Sequence, residues 1–410
     1  MPGMTRNGNC PGARRDWLSH VAAFLICAAI PLGGSLARVT EEGVPAVPDV
    51  SPEFEAVPIA GPFEFPWSIA FLSDGSLLLT ERRGRLQLLE PESNVREVAG
   101  VPAVLFGGQS GLLDVSVDPG FHDNGIVYLS YVHGTEASST IRVLRAKLDE
   151  QRQRLRKKQV IFESSPPAPS NAQLGGRIAV TKDGYLFLTL GDRWEGERAQ
   201  DLADHAGSII RIRTDGSVPE DNPFVSVPGA RPEIWSYGHR NPQGLAYHAP
   251  SGQLWSHEHG PKGGDELNLI ISRRNYGWPV ITHGVGYDDE PIGEGTAKDG
   301  MEQPVHHWTP AIAPSGLALE GLDDVTGLWI GALAGQALVR LEIENGRITA
   351  DQRLLQGELG RIRDVRIDAA GLVYFITDGP AGALYRLAPA AELAHQRKRN
   401  APDERNRKRL

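Results

Sequence analysis

An all-β fold, a six-bladed β-propeller with four-stranded antiparallel blades, is what this sequence predicts. The main observation is a pattern of apolar strand, tight polar turn and second apolar strand that recurs six times, about every 60 residues. Glycine (47 residues) and proline (30 residues) are abundant in the 410-residue chain, as in proteins with many short strands and turns. No long amphipathic helix pattern lies between the repeats. A pair of β-sandwiches is the alternative, because loosely repeated hairpins also occur in that architecture.

Each repeat is typical of a β-hairpin. Apolar and polar residues alternate with a period of two on both sides of a turn, often Asp-Gly or Ser-Gly, and this pattern favours antiparallel pairing. In chain order the predicted hairpins span residues 67–80, 113–131, 177–190, 244–256, 316–331 and 362–377. Since the loops of a propeller converge at one end of its central channel, residues far apart in sequence are expected to meet there.

The first 37 residues are predicted to be a signal peptide. Arg14 and Arg15 precede an apolar run at 21–32, and small residues within 35–37 suit a cleavage site. The run is short for a membrane span, so we expect no span in the mature chain and a periplasmic or secreted location. An uncleaved anchor is the alternative. Both cysteines, Cys10 and Cys27, lie in this segment, so the mature chain has no thiol for catalysis or metal binding.

The rest of the chain divides into three parts. Residues 38–65 contain scattered prolines and are predicted to be a linker that leads into a propeller domain at 66–390. Residues 391–410 are rich in Lys and Arg without apolar periodicity, which predicts a basic, disordered tail. The formal net charge of −9 gives no support for a nucleic-acid partner.

Three polar, glycine-rich clusters lie close together: W-S-Y-G-H-R-N-P-Q-G (235–244), E-H-G-P-K-G-G-D-E-L-N (258–268) and N-Y-G-W-P (275–279). The first places the guanidinium of Arg240 beside the amides of Asn241 and Gln243. The second combines exposed backbone carbonyls with Asp265 and Glu266, which suits a hard cation that takes oxygen ligands. Together the clusters predict a rim that holds an anionic, oxygen-rich ligand with calcium. Each cluster alone has an ordinary β-turn as its alternative.

Further polar residues lie at the ends of predicted strands or in the loops between them: Gln109, Arg177, Asp192 and Arg193. Arg361 and Arg363 are two residues apart in an extended segment, so their side chains share one side of it. Two guanidiniums on one side suit a polycarboxylate ligand, because each can bind one carboxylate through two hydrogen bonds. A strand edge neutralised by Asp364 is the alternative.

Several common catalytic motifs are missing from the sequence. There is no G-x-G-x-x-G between a predicted strand and helix, no phosphate-binding loop and no H-E-x-x-H zinc motif. Ser110 lies in G-Q-S-G-L without the strand–turn–helix context of a nucleophile elbow, so it is interpreted as an ordinary loop residue.

Taken together, these motifs resemble those of the soluble aldose sugar dehydrogenases of the glucose/sorbosone dehydrogenase family, which depend on pyrroloquinoline quinone (PQQ). The resemblance extends from about residue 66 to residue 387. The motifs that carry it are G-x-R-N-P-Q-G, E-H-G-P-x-G-G-D-E-x-N, N-Y-G-W-P and R-I-R-D-V-R, in this order. It implies a six-bladed propeller with PQQ and calcium as cofactors, an aldose as substrate and a separate electron acceptor.

The resemblance also implies roles for cofactor-binding residues. Arg240 and Asn241 are expected to contact the quinone, with Arg240 stabilising negative charge that develops on a quinone oxygen. Arg361 and Arg363 are expected to pair with the carboxylates of the cofactor.

Substrate and metal ligands follow from the same resemblance. Gln109 is expected to lie beside the sugar. The backbone carbonyls of Gly260 and Pro261 are expected to hold the calcium that polarises the cofactor. Glu266 and Tyr276 match positions that serve a second, structural calcium in some relatives.

Two positions depart from the family pattern. Relatives carry a histidine, the general base, four residues before the arginine of the G-G-R-I segment, and here that position is Gln173, which cannot accept a proton near neutral pH. Relatives carry a lysine in the loop after the fifth hairpin, and here it is Ala334. Asp192 is the candidate replacement base.

The sequence therefore predicts an exported quinoprotein that oxidises an aldose at its anomeric carbon to the lactone. Two alternatives stay open: a propeller with weakened or lost catalysis that binds a sugar or a quinone, and a calcium-dependent propeller hydrolase or lactonase.

Overall fold

The computed structural model describes residues 54–91, 94–391 and 393 of the chain. The predicted signal peptide (1–37) lies outside these residues, as do residues 38–53 of the predicted linker and nearly all of the predicted basic tail. None of the helices in the described ranges is long and apolar enough to cross a membrane.

Six four-stranded antiparallel sheets, here called blades I to VI, form the described chain. Blade I contains β2 (Pro66–Phe71), β3 (Leu77–Glu81), β4 (Arg85–Leu89) and β5 (Val95–Glu97). Blade II contains β6 (Leu112–Val117), β7 (Ile126–Thr135), β8 (Ser138–Leu148) and β9 (Leu155–Glu163). Blade III contains β10 (Gly175–Val180), β11 (Tyr185–Leu190), β12 (Ser208–Arg213) and β13 (Ile234–Tyr237).

The second half of the chain repeats this arrangement. Blade IV contains β14 (Pro242–His248), β15 (Gln253–Glu258), β16 (Asp265–Ile270) and β17 (His306–Trp308). Blade V contains β18 (Pro314–Glu320), β19 (Gly327–Ala332), β20 (Ala337–Glu344) and β21 (Arg347–Leu354). Blade VI contains β22 (Ile362–Ile367), β23 (Val373–Thr377), β24 (Gly382–Pro389) and, from the other end of the described chain, β1 (Phe54–Phe63). The described ranges also contain a short α-helix (Phe121–Asn124) and a short 3-10 helix (Gly196–Gln200).

The predicted six-bladed propeller is confirmed. Each predicted hairpin corresponds to the first two strands of one blade: β2–β3, β6–β7, β10–β11, β14–β15, β18–β19 and β22–β23. The first strand of every blade contacts the first strands of the two neighbouring blades, and these contacts close a ring from β2 back to β22. Apolar side chains form a separate cluster between each pair of neighbouring blades, so burial between blades holds the ring together.

β1 lies within the range 38–65 that the sequence assigns to a linker. It pairs with β24 from Phe54↔Pro389 to Phe63↔Gly382, and the ring of Phe54 packs edge-on against Trp329. Within the described residues, this part of the range is therefore the outer strand of blade VI.

A network of buried charges connects the first strands of the blades. The fully buried guanidinium of Arg177 pairs with Asp114 at 3.2 Å and with Asp364 at 3.0 Å, and it lies 4.1 Å from the ring centre of Trp67. Arg366 pairs with the same two carboxylates at 3.3 Å each. Burial of these charges is tolerated because each has partners of opposite sign.

Candidate active site on the propeller axis

A cavity of about 210 Å³ lies where the first strands of all six blades begin. Its wall includes one residue from the start of each blade or the loop just before it: Trp67, Leu113, Gly175, Gln243, Ala313 and Arg363. The cavity therefore lies on the propeller axis, where the sequence predicts that distant loops meet.

Three guanidiniums face this cavity: Arg82, Arg361 and Arg363. Asp378 Oδ2 accepts hydrogen bonds from Arg361 Nε at 2.9 Å and from Arg363 Nη2 at 3.1 Å. Burial opposes ionisation of Asp378, but the charges of Arg363 and Arg361 lower its pKa. The alternative, in which Asp364 neutralises Arg361 and Arg363 at a strand edge, is wrong. Asp364 pairs with Arg177 and Arg366 instead.

The arginine cluster has unused hydrogen-bonding capacity. The Nε atoms of Arg82 and Arg363 are buried without a hydrogen-bond partner. Burial, followed by the nearby charge of Arg363, lowers the pKa of Arg82. Three cations against the single carboxylate of Asp378 leave an excess of positive charge, which fits an anionic ligand with several carboxylates.

A second group of side chains connects Gln109, Gln173, Asp192 and Arg240. Gln109 lines the cavity, and its Oε1 accepts a hydrogen bond from the backbone N–H of Gln173 at 2.9 Å. With the Gln173 amide oriented to suit its neighbours, its nitrogen donates to Asp192 and its oxygen accepts from Arg240 Nη2 at 2.7 Å. Gln173, at the family's base position, is therefore adjacent to Asp192, the candidate replacement base. It is also adjacent to Arg240, the candidate for stabilising charge on the quinone.

Asp192 is held in a buried position at the end of β11. Trp278 Nε1 donates to its Oδ2 at 2.7 Å, and the backbone N–H of Trp194 donates to its Oδ1 at 2.9 Å. Burial raises the pKa of Asp192 to about 6, although these hydrogen bonds and the charge of Arg240 favour the ionised form. A carboxyl group with this pKa suits a general base near neutral pH.

Arg240 is positioned by a buried chain of polar groups. Glu258 Oε2 accepts from the backbone N–H of Arg240, and Glu258 Oε1 lies 2.9 Å from His239 Nδ1. His239 Nε2 in turn lies 2.9 Å from Ser236 Oγ. Ser236 and His239 are fully buried, so this Ser–His–Glu arrangement supports the backbone and does not reach the cavity.

Asn241 joins blades III and IV beside the cavity. Its Oδ1 accepts from the backbone N–H of Gly175 at 3.2 Å and from Gln243 Nε2 at 3.1 Å, and its Nδ2 lies 3.4 Å from His259 Nδ1. Gly175, Gln243 and His259 line the cavity, whereas Asn241 lies directly behind them.

The predicted calcium ligands Gly260 and Pro261 lie in the loop after β15. Asp265 fixes this loop, because it accepts hydrogen bonds from the backbone N–H groups of Gly260 at 2.8 Å and of Ile312 at 2.7 Å. The carbonyl oxygen of Gly260 accepts from Arg240 Nη1 at 2.6 Å. The loop thus presents a carbonyl oxygen next to the guanidinium that the quinone is expected to contact.

Glu266 and Tyr276 border a small void of about 10 Å³, which is about the space of one water or ion. Glu258 lies beside Glu266 as its partner across the β15–β16 pair, and it borders the same void. Burial and then the charge of Glu258 raise the pKa of Glu266 to about 8. Two buried carboxylates next to a void fit a cation. The Tyr276 hydroxyl, however, donates to Leu269 O at 2.7 Å and accepts from Ile271 N–H at 2.8 Å, so it is engaged elsewhere.

Neither the Gly260–Pro261 loop nor the Glu266–Tyr276 pair belongs to a larger cluster of metal-binding side chains. Among the described residues, no group of three or more His, Cys, Asp or Glu side chains is arranged to hold a metal ion. A calcium ion at Gly260 and Pro261 would be held by their backbone carbonyls, as the sequence predicts.

Ala334 lies at the edge of the cavity. It is exposed in the turn between β19 and β20, directly after Leu333, which lines the cavity. Its backbone N–H donates to Ile312 O at 3.0 Å, so the turn is fixed. The alanine leaves a place for a longer side chain at the rim.

Several residues of this site were not predicted from the sequence: Arg82, Glu258, Trp194 and Tyr287. Arg82 follows a predicted hairpin in T-E-R-R and has no pattern that separates it from Arg83. Glu258 begins the E-H-G-P motif, in which the predicted ligands were carbonyl groups. The next residue, His259, is a loop histidine for which the sequence left substrate binding and a structural role open, and it lines the cavity. Trp194 and Tyr287 could be recognised as exposed aromatic residues only from the structure, because the sequence pattern does not show which side chains are exposed.

The comparisons with known proteins agree with this geometry. The family model described as Glucose / Sorbosone dehydrogenase matches residues 63–386. The aldose sugar dehydrogenase of Escherichia coli strain K12 is 37% identical over 335 residues, which cover 80% of this chain and 90% of that protein.

Solved structures give the same result. A crystal structure of a glucose dehydrogenase is 41% identical with a TM-score of 0.78, and the match covers 81% of this chain and 99% of that one. The PQQ-bound aldose sugar dehydrogenase from Streptomyces coelicolor is 28% identical with a TM-score of 0.70, covering 82% and 97% of the two chains. The chain belongs to the glucose/sorbosone dehydrogenase family of sugar dehydrogenases.

Proposed function

We propose that this protein is an exported, PQQ- and calcium-dependent dehydrogenase that oxidises an aldose at its anomeric carbon to the lactone. The observation that carries the proposal is the axial cavity, where three guanidiniums face an empty volume next to the Gln173–Asp192–Arg240 group. An arginine cluster with unpaired Nε atoms suits the carboxylates of PQQ. The PQQ-bound relative from Streptomyces coelicolor supports the choice of cofactor.

PQQ bound in this cavity would supply a two-electron acceptor for the hydride of the anomeric carbon, and a separate acceptor would then take the electrons. The backbone carbonyls of Gly260 and Pro261 would hold the calcium ion that polarises the cofactor. Arg363 and Arg361, held by Asp378, would orient the carboxylates of the cofactor. Arg82 adds a third positive charge at the same cavity. Arg240 would contact the quinone, while Asn241 would fix the lining residues Gly175 and Gln243 from behind.

The proton of the anomeric hydroxyl needs a base from this chain. We assign this role to the Asp192 carboxylate, which accepts a hydrogen bond from Gln173 and whose ionised form is favoured by the charge of Arg240. Because Asp192 is buried behind these neighbours, the Gln173 amide has to move aside for the carboxylate to reach the hydroxyl. Gln109 is the proposed hydrogen-bonding partner of the sugar, since it lines the cavity and also touches the Gln173 backbone.

A silent propeller that binds a quinone or a sugar without turnover is the second candidate. Two observations favour it: the family base position is Gln173, and the family lysine position is Ala334. A calcium-dependent hydrolase or lactonase is the third candidate, and it gives no reason for three guanidiniums at one cavity.

The test is dye reduction by the full mature chain loaded with calcium and PQQ, with a panel of aldoses. We expect turnover that requires both PQQ and sugar. PQQ-dependent binding without turnover would support the silent propeller, and lactone cleavage without PQQ would support the hydrolase.

Asp192→Asn tests the assigned base. Since Asp192 must be ionised to accept a proton and its pKa is about 6, kcat/KM of the wild type should rise as pH increases through about 6 and level off above it. The variant should lose about 10²- to 10⁴-fold in kcat/KM together with this pH dependence. Full turnover by Asp192→Asn would remove Asp192 from the mechanism.

A further inference from the structure

An open groove of about 460 Å³ lies beside the proposed active site and has no part in the function assigned so far. It is formed where the tip of the β7–β8 hairpin, the loop before β10 and the loop after β11 meet. Its lining includes Glu136, Ser170, Asn171, Trp194 and Glu195. Its volume falls within the range of about 300–1,000 Å³ that is usual for small-molecule sites.

The groove adjoins the axial cavity at Asn171, which lines the groove and packs against the cavity residues Gly108 and Gln109. The backbone N–H of Gln109, a cavity residue, donates to Asn171 O at 2.8 Å. The Asn171 side chain is so close to Gly108 that a Cβ there would lie 2.7 Å from it. Gly107, one residue earlier, faces the carboxylate of Glu136. A ligand that extends out of the cavity over Gln109 and Asn171 would therefore reach this groove.

Trp194 forms the wall between the groove and the Gln173–Asp192–Arg240 group. Its side chain is 55% exposed, which is unusual for tryptophan, and its ring centre lies 5.8 Å from the Arg240 guanidinium. Tyr287, 65% exposed, lies 6.2 Å from Trp194 between ring centres and 3.5 Å from Arg240 through its hydroxyl. Two exposed aromatic rings thus flank the guanidinium beside the reacting centre.

The backbone at Trp194 is held in an unfavourable conformation. Arg193 and Trp194 have φ values of 61° and 67°, a left-handed region that bulky residues rarely adopt. Arg193 is anchored below the groove, because its Nη2 donates to Ser139 Oγ at 2.7 Å and also to Ser170 O. The N–H of Trp194 is fixed by Asp192. Strain that is maintained by several hydrogen bonds to display an exposed ring points to a ligand for that ring.

We infer that this groove is a second sugar subsite, in which one ring of a reducing oligosaccharide packs on Trp194 while the neighbouring ring is oxidised in the axial cavity. A pyranose fits this chemistry because it has an apolar C–H face for the indole and hydroxyl groups for carboxylates and amides. Glu136, Glu195, Asn171 and Ser170 supply those polar partners around the Trp194 ring. The position of the oxidised ring rests on the proposed function.

The test measures binding of two sugars that lack a free anomeric hydroxyl and so cannot be oxidised: methyl β-cellobioside with two rings and methyl β-glucoside with one. Titration calorimetry uses the full mature chain loaded with calcium and PQQ. We expect wild type to bind the two-ring probe more tightly. Trp194→Ala should weaken that binding about tenfold more than it weakens binding of the one-ring probe, since one aromatic contact is lost.

Two variants separate the subsite from a general loss of structure. Trp194→Phe keeps an aromatic ring and should retain most of the preference for two rings. Leu322→Ala removes an apolar side chain that is 88% exposed in a loop of blade V, and it should change neither affinity.

Equal affinity of wild type for the two probes, or an equal loss for both in Trp194→Ala, would overturn the subsite. Because neither probe is oxidised, the result is independent of turnover. A Trp194-dependent preference in a protein without dye reduction would keep the subsite and reject the dehydrogenase proposal.

Discussion

Gln173 contacts Asp192 through its amide nitrogen and Arg240 through its amide oxygen. Its backbone has a φ of 50°, in the left-handed region where histidine and asparagine are enriched among non-glycine residues. A histidine at this position would therefore be accommodated by the backbone. Its ring would lie next to a buried carboxylate that can orient it and increase its basicity, an arrangement that general bases commonly use.

Gln173→His should therefore raise turnover. We expect kcat for glucose to increase about 10²-fold, within the usual contribution of a general base. Steady-state dye reduction measures the change. Gln173→Asn is the matched control, because it retains an amide without a titratable group and should not gain activity. Equal rates in the His and Asn variants would mean that the missing base does not limit this protein.

The residues of the candidate site differ in how far the sequence alone could predict them. Arg240 and Asn241 could be predicted as candidates because they belong to a motif, and Gln109 because it lies in a polar, glycine-rich loop. The structure places Gln109 in the wall of the axial cavity and Asn241 directly behind that wall. Gln173 lies in the loop before β10, whereas Asp192 follows β11. No sequence motif contains both residues, so their contact could not be predicted. Arg82 was missed because its role depends on a cavity built by all six blades.

At the scale of elements, the loops that start the inner strands carry the site. Arg361 directly precedes β22, and Arg363 lies within that strand. Both guanidiniums donate hydrogen bonds to Asp378, which follows β23. The turn between β19 and β20 brings Ala334 to the same rim beside Leu333. A cation at this turn would add to the guanidiniums that already face the cavity.

Ala334→Lys should bind PQQ more tightly than wild type. One added charge-assisted hydrogen bond should lower Kd by about tenfold, and less where the ammonium stays solvated. Absorbance titration of the calcium-loaded apoprotein measures this. Ala334→Gln has a long side chain without charge and serves as the control. An equal Kd in the Lys variant and wild type would show that this turn does not face the cofactor.

At the scale of the whole molecule, the propeller is closed by strands from the two ends of its sequence. β1 supplies the outer strand of blade VI, whose other three strands come from the C-terminal side. Without β1, β24 would become an exposed edge, and the packing of Phe54 on Trp329 would be lost. Stability of the ring thus depends on a segment outside the predicted hairpins.

A chain that starts at Pro66 should be less stable than one that starts at Ser51. Because several kcal/mol of strand pairing and packing are lost, we expect the thermal midpoint to fall by roughly 10 °C or more. Differential scanning calorimetry of the two purified chains makes the comparison. Equal midpoints would show that β1 is dispensable for ring closure.

The repeat pattern predicted the first two strands of every blade, because each pair consists of two largely apolar, buried segments joined by a tight polar turn. β1 was assigned to a linker because it contains two prolines and, as a partly exposed outer strand, lacks a regular alternation of apolar and polar residues. The central network of Arg177, Asp114 and Asp364 was also beyond prediction, because its partners come from blades II, III and VI.

The assignment of the axial cavity to the quinone is tested most directly by titrating the calcium-loaded apoprotein with PQQ, followed by absorbance, for wild type and Arg363→Gln. We expect one PQQ bound per chain and an affinity at least about tenfold weaker in the variant, because it lacks a partly buried guanidinium that would pair with a carboxylate of PQQ. Absence of binding by wild type, or equal binding by both proteins, would contradict the assignment of the axial cavity as the quinone site.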